Sequence, residues 1–127
     1  MKKKFLFISN EIKNSPVGGR RNLSLLNENI LRAIFKNNFF SVKIKKKKIK
    51  SLNHILLALT GNIDGISSKK INHIKGFIKK NQIEYVFIDG SNLGKIARKI
   101  KDPKIKIITF CHNVEANFFL KKFLTFL

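Results

Sequence analysis

Short, unbroken apolar runs recur along the chain. One spans Lys4 to Ser9, with Phe5-Leu6-Phe7-Ile8 at its centre, and others lie at Tyr85–Ile88 and Ile105–Phe110. Continuous runs of this length, bounded by turn residues, predict buried parallel strands covered on both faces. Phe39 to Lys45 differs, because Phe40, Val42 and Ile44 alternate there with Ser41, Lys43 and Lys45. That pattern predicts a strand with one polar side. Between these runs the spacing becomes helical. Arg20–Lys36 carries Leu23, Leu26, Asn27, Ile30, Ile34 and Phe35, and Ser67–Asn81 carries Ile71, Ile74, Phe77 and Ile78. Leu93–Lys101 carries Leu93, Ile96, Ala97 and Ile100 and stops at Asp102-Pro103, since proline disfavours helix in the residue before it. Ser51–Thr60, with Leu52, Ile55, Leu56 and Leu59, predicts a further helix, and Val114–Leu127 begins a last one.

The predicted order is β-α-β-α-α-β-α-β-α. Strands alternating with helices at this spacing give an α/β fold, a parallel sheet with helices on both faces and right-handed crossovers. At 127 residues the chain holds one domain, residues 1–127, with no room for a second. Ligands in such sheets bind at the carboxyl ends of the strands, near the point where strand order reverses. The segments that matter are therefore Asn10–Gly19, Asp89–Asn92 and Cys111–Glu115.

Charge alters the picture more than composition does. Lys and Arg total 27 against 7 Asp and Glu, a formal net charge of +20. Such a field attracts polyanions: nucleic acid, an anionic membrane surface, or nucleotide and lipid diphosphates. Codon bias toward Lys, Asn, Ile and Phe is the competing account of the same excess. Cys111 is the single cysteine, so neither an intrachain disulfide nor a thiolate zinc site can form within the chain. The amino-terminal Met1-Lys2-Lys3-Lys4 begins like a signal peptide, but the apolar run ends at Ser9 and Asn10, short of the roughly 7–15 residues an h-region needs. With no apolar stretch near the roughly 20 residues of a membrane span, a soluble or peripheral protein is expected, cytoplasmic or held at the inner face of the membrane.

Gly18-Gly19 stands directly before a predicted helix, where backbone can approach a ligand and free N–H groups can meet an anion. Arg20 and Arg21 add a bidentate phosphate clamp at the same spot. The same residues also read as a plain turn, and neither a G-x-G-x-x-G fingerprint nor a Walker motif is present. Lys45–Lys48 reads as a solvated turn, with a phosphate patch as the alternative. Cys111-His112-Asn113-Val114-Glu115 is the richest cluster. Neighbours on an extended strand point to opposite faces, which argues against a Cys–His dyad and makes Cys111 a small buried residue. His112 offers a hydrogen bond to a sugar hydroxyl or phosphate oxygen, and Glu115 a carboxylate in the same cleft. A metal would need further ligands, so no metal or cofactor is expected. His54 and His73 fall in helical segments and read as surface or structural residues. Asp89 ends a strand, yet Asp89-Gly90-Ser91 is also an ordinary turn.

Phe87-Ile88-Asp89-Gly90-Ser91-Asn92-Leu93-Gly94, followed by Thr109-Phe110-Cys111-His112-Asn113-Val114-Glu115, resembles the amino-terminal domain of bacterial GT-B glycosyltransferases. These are the capsule, O-antigen and exopolysaccharide enzymes with a His-Asn-Val-Glu motif. The opening strand with Pro16-Val17-Gly18-Gly19 is similar to their first strand and Gly-Gly loop, so the resemblance spans nearly the whole chain. It implies a Rossmann-like domain on the acceptor side of a two-domain cleft. His112 would then contact the transferred sugar, with Glu115 beside it as the second catalytic residue. Gly18, Gly19, Arg20, Arg21, Asp89, Ser91 and Asn113 would bind substrate.

The resemblance implies transfer of a sugar, of the hexosyl class, from a nucleotide-sugar donor to a surface-polysaccharide or lipid-linked acceptor. The donor-binding carboxy-terminal domain is missing after Leu127, which predicts a half enzyme, inactive until a second domain or chain completes it. Phe118, Phe119, Phe123 and Phe126 would leave apolar surface exposed there. Two other classes remain: a non-catalytic basic module binding nucleic acid or an anionic membrane, and an inert remnant. Nucleic acid is the less favoured partner, because no recognised motif interleaves aromatics with Lys and Arg on one face.

Overall fold

The run Phe5-Leu6-Phe7-Ile8 becomes the central strand of the sheet because it is apolar on both sides, and a middle strand must be covered twice. The computed structural model describes residues 3–11, 19–45, 66–90 and 93–111. Its strands are β1 (Phe5–Asn10), β2 (Phe39–Ile44), β3 (Tyr85–Asp89) and β4 (Lys106–Phe110), forming one four-stranded sheet in the order β2-β1-β3-β4. Every neighbouring pair is parallel, with Phe5 opposite Phe39 and Tyr85, and Tyr85 opposite Lys106. The helices are α1 (Gly19–Phe35), α2 (Ser68–Asn81) and α3 (Gly94–Lys99), with a 3₁₀ turn at Lys36–Asn38. The fold is α/β and Rossmann-like, and these elements fall within about two residues of those predicted.

Period-two alternation sorts the core into two layers. Leu6 and Ile8 on β1, with Val86 and Ile88 on β3, pack against Ile71, Ile74 and Ile78 of α2 and against Leu93 and Ile96. Phe5 and Phe7 point to the other face, joined by Phe39, Tyr85 and Phe87 and covered by Leu31 and Phe35 of α1. There the rings of Phe5 and Phe35 stack at 4.4 Å and those of Phe7 and Phe87 at 5.5 Å. The crossovers thus place α1 on one face and α2 and α3 on the other. Ser67 caps α2 by accepting from the Lys70 N–H, and Gln82, in left-handed conformation, closes it by donating its N–H to the carbonyls of Ile78 and Lys79. Among the described residues, no helix is long and apolar enough to cross a membrane.

The structure corrects three expectations. A helix ordinarily buries its apolar stripe, yet on α1 it is Ser24 and Glu28 that are buried, whereas Leu23, Leu26, Ile30 and Ile34 are exposed, Ile34 to 64%. The carboxyl end of the sheet is polar on this face, and it draws the polar side of α1 onto itself. Ile105–Phe110 is not a buried strand throughout: β4 is an edge, and Ile108 is 45% exposed. Cys111, immediately after it, is exposed rather than buried. The predicted helices at Ser51–Thr60 and Val114–Leu127 lie outside the described residues.

Candidate functional site

Because β1 lies between β2 and β3, the order reverses between β1 and β3, and sheets of this kind hold their ligands in a crevice at the carboxyl ends of the strands beside such a reversal. Register sets the side chains there. Ser9 is level with Lys43 on β2 and Asp89 on β3, so a cation, a hydroxyl and a carboxylate line up across adjacent strands about 4.8 Å apart. All three lie on the α1 face.

Asp89 is 2% exposed, and its Oδ2 accepts a short hydrogen bond from Ser24 Oγ on α1. Gly90 turns the chain directly after it with φ 127°, a conformation that favours glycine. Its N–H donates to the Phe110 carbonyl at 2.9 Å, and its own carbonyl accepts from the Leu93 N–H at 3.1 Å. The carboxylate is thereby fixed at the rim of the sheet.

Glu28, one turn further along α1, is the second buried carboxylate. It accepts from Lys43 Nζ, from Ser41 Oγ at 3.0 Å and from Arg32 Nη2 at 3.0 Å, and Lys43 Nζ also donates to Ser9 Oγ at 3.0 Å. Burial pushes the Glu28 carboxyl upward, but the hydrogen bonds from Lys43 and Ser41 and the charge of Lys43 outweigh it and hold the group below its ordinary range. Lys43 also lies 5.1 Å from the centre of the Phe7 ring. Two amides lie nearby, Asn27 on this face and Asn10, by alternation along β1, on the other. Both polar atoms of the Asn10 side chain, at the end of β1, and Nδ2 of Asn27 on α1 are buried without a hydrogen-bond partner. Buried polar atoms are rarely left so, and each such group calls for a reason.

Of the residues predicted for a site, the structure brings Asp89 to this crevice and places Gly19 and Arg20 at the start of α1, which begins on the same side. Arg21 is half-buried in the first turn of that helix. Gly18, Ser91, His112, Asn113 and Glu115 lie outside the described residues, as do His54 and Lys46–Lys48, while His73 is exposed on α2. Sequence reasoning passed over Ser9, Ser24, Glu28 and Lys43. Their signal was present: Ser24, Asn27 and Glu28 form a second, polar stripe at helical spacing, and Ser41 and Lys43 are the polar side of an alternating strand. Among the described residues, no group of three or more His, Cys, Asp or Glu could hold a metal ion.

The carboxyl end of the α1 face therefore gathers two carboxylates, one ammonium, three hydroxyls and one amide within one layer of the fold. Such a set can grip a ligand rich in hydroxyl groups by both donating and accepting. No known protein family, curated protein or solved structure matches this chain.

Proposed function

We propose that this chain is the acceptor-side half of a GT-B-type glycosyltransferase. In this reading it moves a hexosyl group from a nucleotide-sugar to a surface-polysaccharide or lipid-linked acceptor, and it acts only when joined by a donor-binding domain. The observation that carries the reading is the row Lys43–Ser9–Asp89 at the reversal of strand order, closed over by Ser24 and Glu28. Polyols are bound by such mixed donor and acceptor sets. The resemblance of residues 87–94 and 109–115 to glycosyltransferase sequences supports the same reading, with His112 touching the transferred sugar and Glu115 beside it. Gly18, Gly19, Arg20 and Arg21 would meet the donor's diphosphate, and Asp89, Ser91 and Asn113 the acceptor or sugar.

The test is a panel of nucleotide-sugars and glycan acceptors titrated into the isotope-labelled chain and read by amide chemical shifts. Saturable shifts at Ser24, Asp89 and Gly90, weakened at least tenfold by Asp89→Asn, are expected for the sugar-bearing ligands. Ligands that shift no residue around this crevice would sink the proposal.

A second reading has its own observation. Helices α2 and α3 contain Lys69, Lys70, Lys75, Lys79, Lys80, Lys95, Arg98 and Lys99 and no carboxylate. A groove at the foot of α2 adds Lys101 and Lys104 beside Asp102 and Glu84. This face suits a polyanion, and binding there would weaken steeply with salt whatever the sugar or base.

A further inference from the structure

The amino end of the sheet, away from Ser9 and Asp89, gathers charge of one sign around a single phenol. Tyr85 opens β3 on the α1 face, where its half-buried ring stacks on that of Phe5 at 6.3 Å. Lys106 is its register partner on β4, and Lys3 stands two residues before Phe5. Backbone bonds tie both lysines to the start of β3. The Lys4 carbonyl accepts from the N–H groups of Glu84 and Tyr85 at 3.1 and 3.2 Å, and the Lys106 N–H donates to the Glu84 carbonyl at 2.8 Å. From these anchors Lys3 Nζ donates to the Tyr85 hydroxyl at 2.9 Å, and Lys106 Nζ comes within 5.7 Å of the ring centre. Two ammonium groups gathered on one neutral side chain repel each other. Yet neither forms an ion pair with a carboxylate of the described residues, and Glu84 is the weakest of the influences on Lys3.

We propose that Lys3, Tyr85 and Lys106 form a binding site for a phosphate monoester. The site is independent of any sugar chemistry, and it lies on the sheet face opposite the lysines of α2 and α3. Its groups are donors. The Tyr85 oxygen already accepts from Lys3, so what remains to offer is the phenol proton and the N–H groups of two ammoniums. A sugar hydroxyl or an amide asks for an acceptor in return and gains little here. A monoester carries about two negative charges and three acceptor oxygens near neutral pH, which matches two cations and three donor groups. A carboxylate or a phosphodiester brings half that charge. The same field already acts on Tyr85: the Lys3 hydrogen bond first, with the charge of Lys106 adding to it, favours negative charge at this spot and holds the phenol below its usual value. The phenol is also braced before any ligand arrives, because Phe5 stacks both on Tyr85 and, at 4.4 Å, on Phe35 of α1.

The full chain titrated with inorganic phosphate at constant ionic strength tests this. Tyr85 is the only tyrosine and there is no tryptophan, so phenol absorbance follows this site alone. A bound dianion offsets the ammonium field, so saturating phosphate should move the phenolate titration to higher pH, further than chloride does. The amide shifts of Tyr85 and Lys106 should saturate at the same phosphate concentration. Lys3→Gln and Lys106→Gln, both at exposed positions, should each weaken binding about tenfold. Tyr85→Phe, which keeps the ring and its stacking, should also weaken it, read by the Lys106 amide. No saturable change at Tyr85, equal effects of phosphate and chloride, acetate binding as tightly as phosphate, or unchanged affinity in both Gln variants overturns the proposal. Vesicles of phosphatidylcholine with phosphatidic acid, set against phosphatidylglycerol vesicles of equal surface charge, then identify the source of the monoester. A preference for phosphatidic acid that Lys3→Gln abolishes makes it a lipid headgroup, and no such preference makes it a soluble phosphate; either upholds the site once free phosphate has bound.

Discussion

Ser24 on α1 donates its hydroxyl to Asp89 Oδ2 at the end of β3, with both residues buried. The bond ties the first half of a helix to the strand beside the switch point. Ser24→Ala removes that donor from a carboxylate that water hardly reaches, and it should destabilise the fold by about 1–3 kcal/mol. Urea unfolding of the full chain measures it. A change within error would mean that Asp89 does not depend on α1.

Glu28 makes stability depend on acidity. Its folded-state carboxyl is held below the ordinary glutamate value of about 4.3. Its contribution is therefore complete above that value and is lost as pH falls through the lower, folded one. Glu28→Gln should lower stability by about 1 kcal/mol at neutral pH, a modest figure because Arg32 is exposed and Lys43 half-buried. It should also flatten the slope below pH 4.3. Urea midpoints across that acid range decide, and an unchanged slope would remove Glu28 from the account.

Ile74 of α2 and Ile88 of β3 are wholly buried in the same layer. Either, cut to Ala, should lose about 2–5 kcal/mol. Ile34→Ala, on the exposed side of α1, should lose far less if that side is as open as its 64% exposure states. A large loss at Ile34 would show that something covers it.

Tyr85 lies between two ammonium groups. Lys3 Nζ donates to its hydroxyl at 2.9 Å, and Lys106 Nζ is 5.7 Å from the ring centre. The Lys3 hydrogen bond leads the causes that hold the phenol below its usual value. Tyr85 is the only tyrosine and there is no tryptophan, so absorbance near the phenolate band follows one residue. Lys3→Ala should move that titration to higher pH. A titration that does not move would mean the contact contributes nothing in solution.

The strands and helices were legible because their periods are. Phe5–Ile8 reads as a covered strand, and Ser67 to Asn81 has an apolar face at helical spacing. What the pattern could not tell is which body an apolar side meets. On α1 the stripe through Leu23 and Ile34 outweighs the stripe through Ser24 and Glu28, yet the second contacts the sheet. The reason lies in Ser9, Lys43 and Asp89, which come together only once three strands far apart in sequence are in register. Asp89 was picked out from its place at a strand end. Glu28 and Lys43 were not, since each is an ordinary surface residue until the other is beside it.

Parallel pairing throughout has a kinetic corollary. β1 cannot gain its first neighbour by a hairpin, because β2 reaches it only after the whole of α1 has been spanned, and β3 only after α2 as well. Every strand pairing that organises the Phe5–Phe39 layer closes a long loop first. Folding of this chain should therefore be slow for its length. Newly made Phe5–Ile8 spends its first moments as an apolar strand with two open edges, which makes it the segment most in need of protection during synthesis.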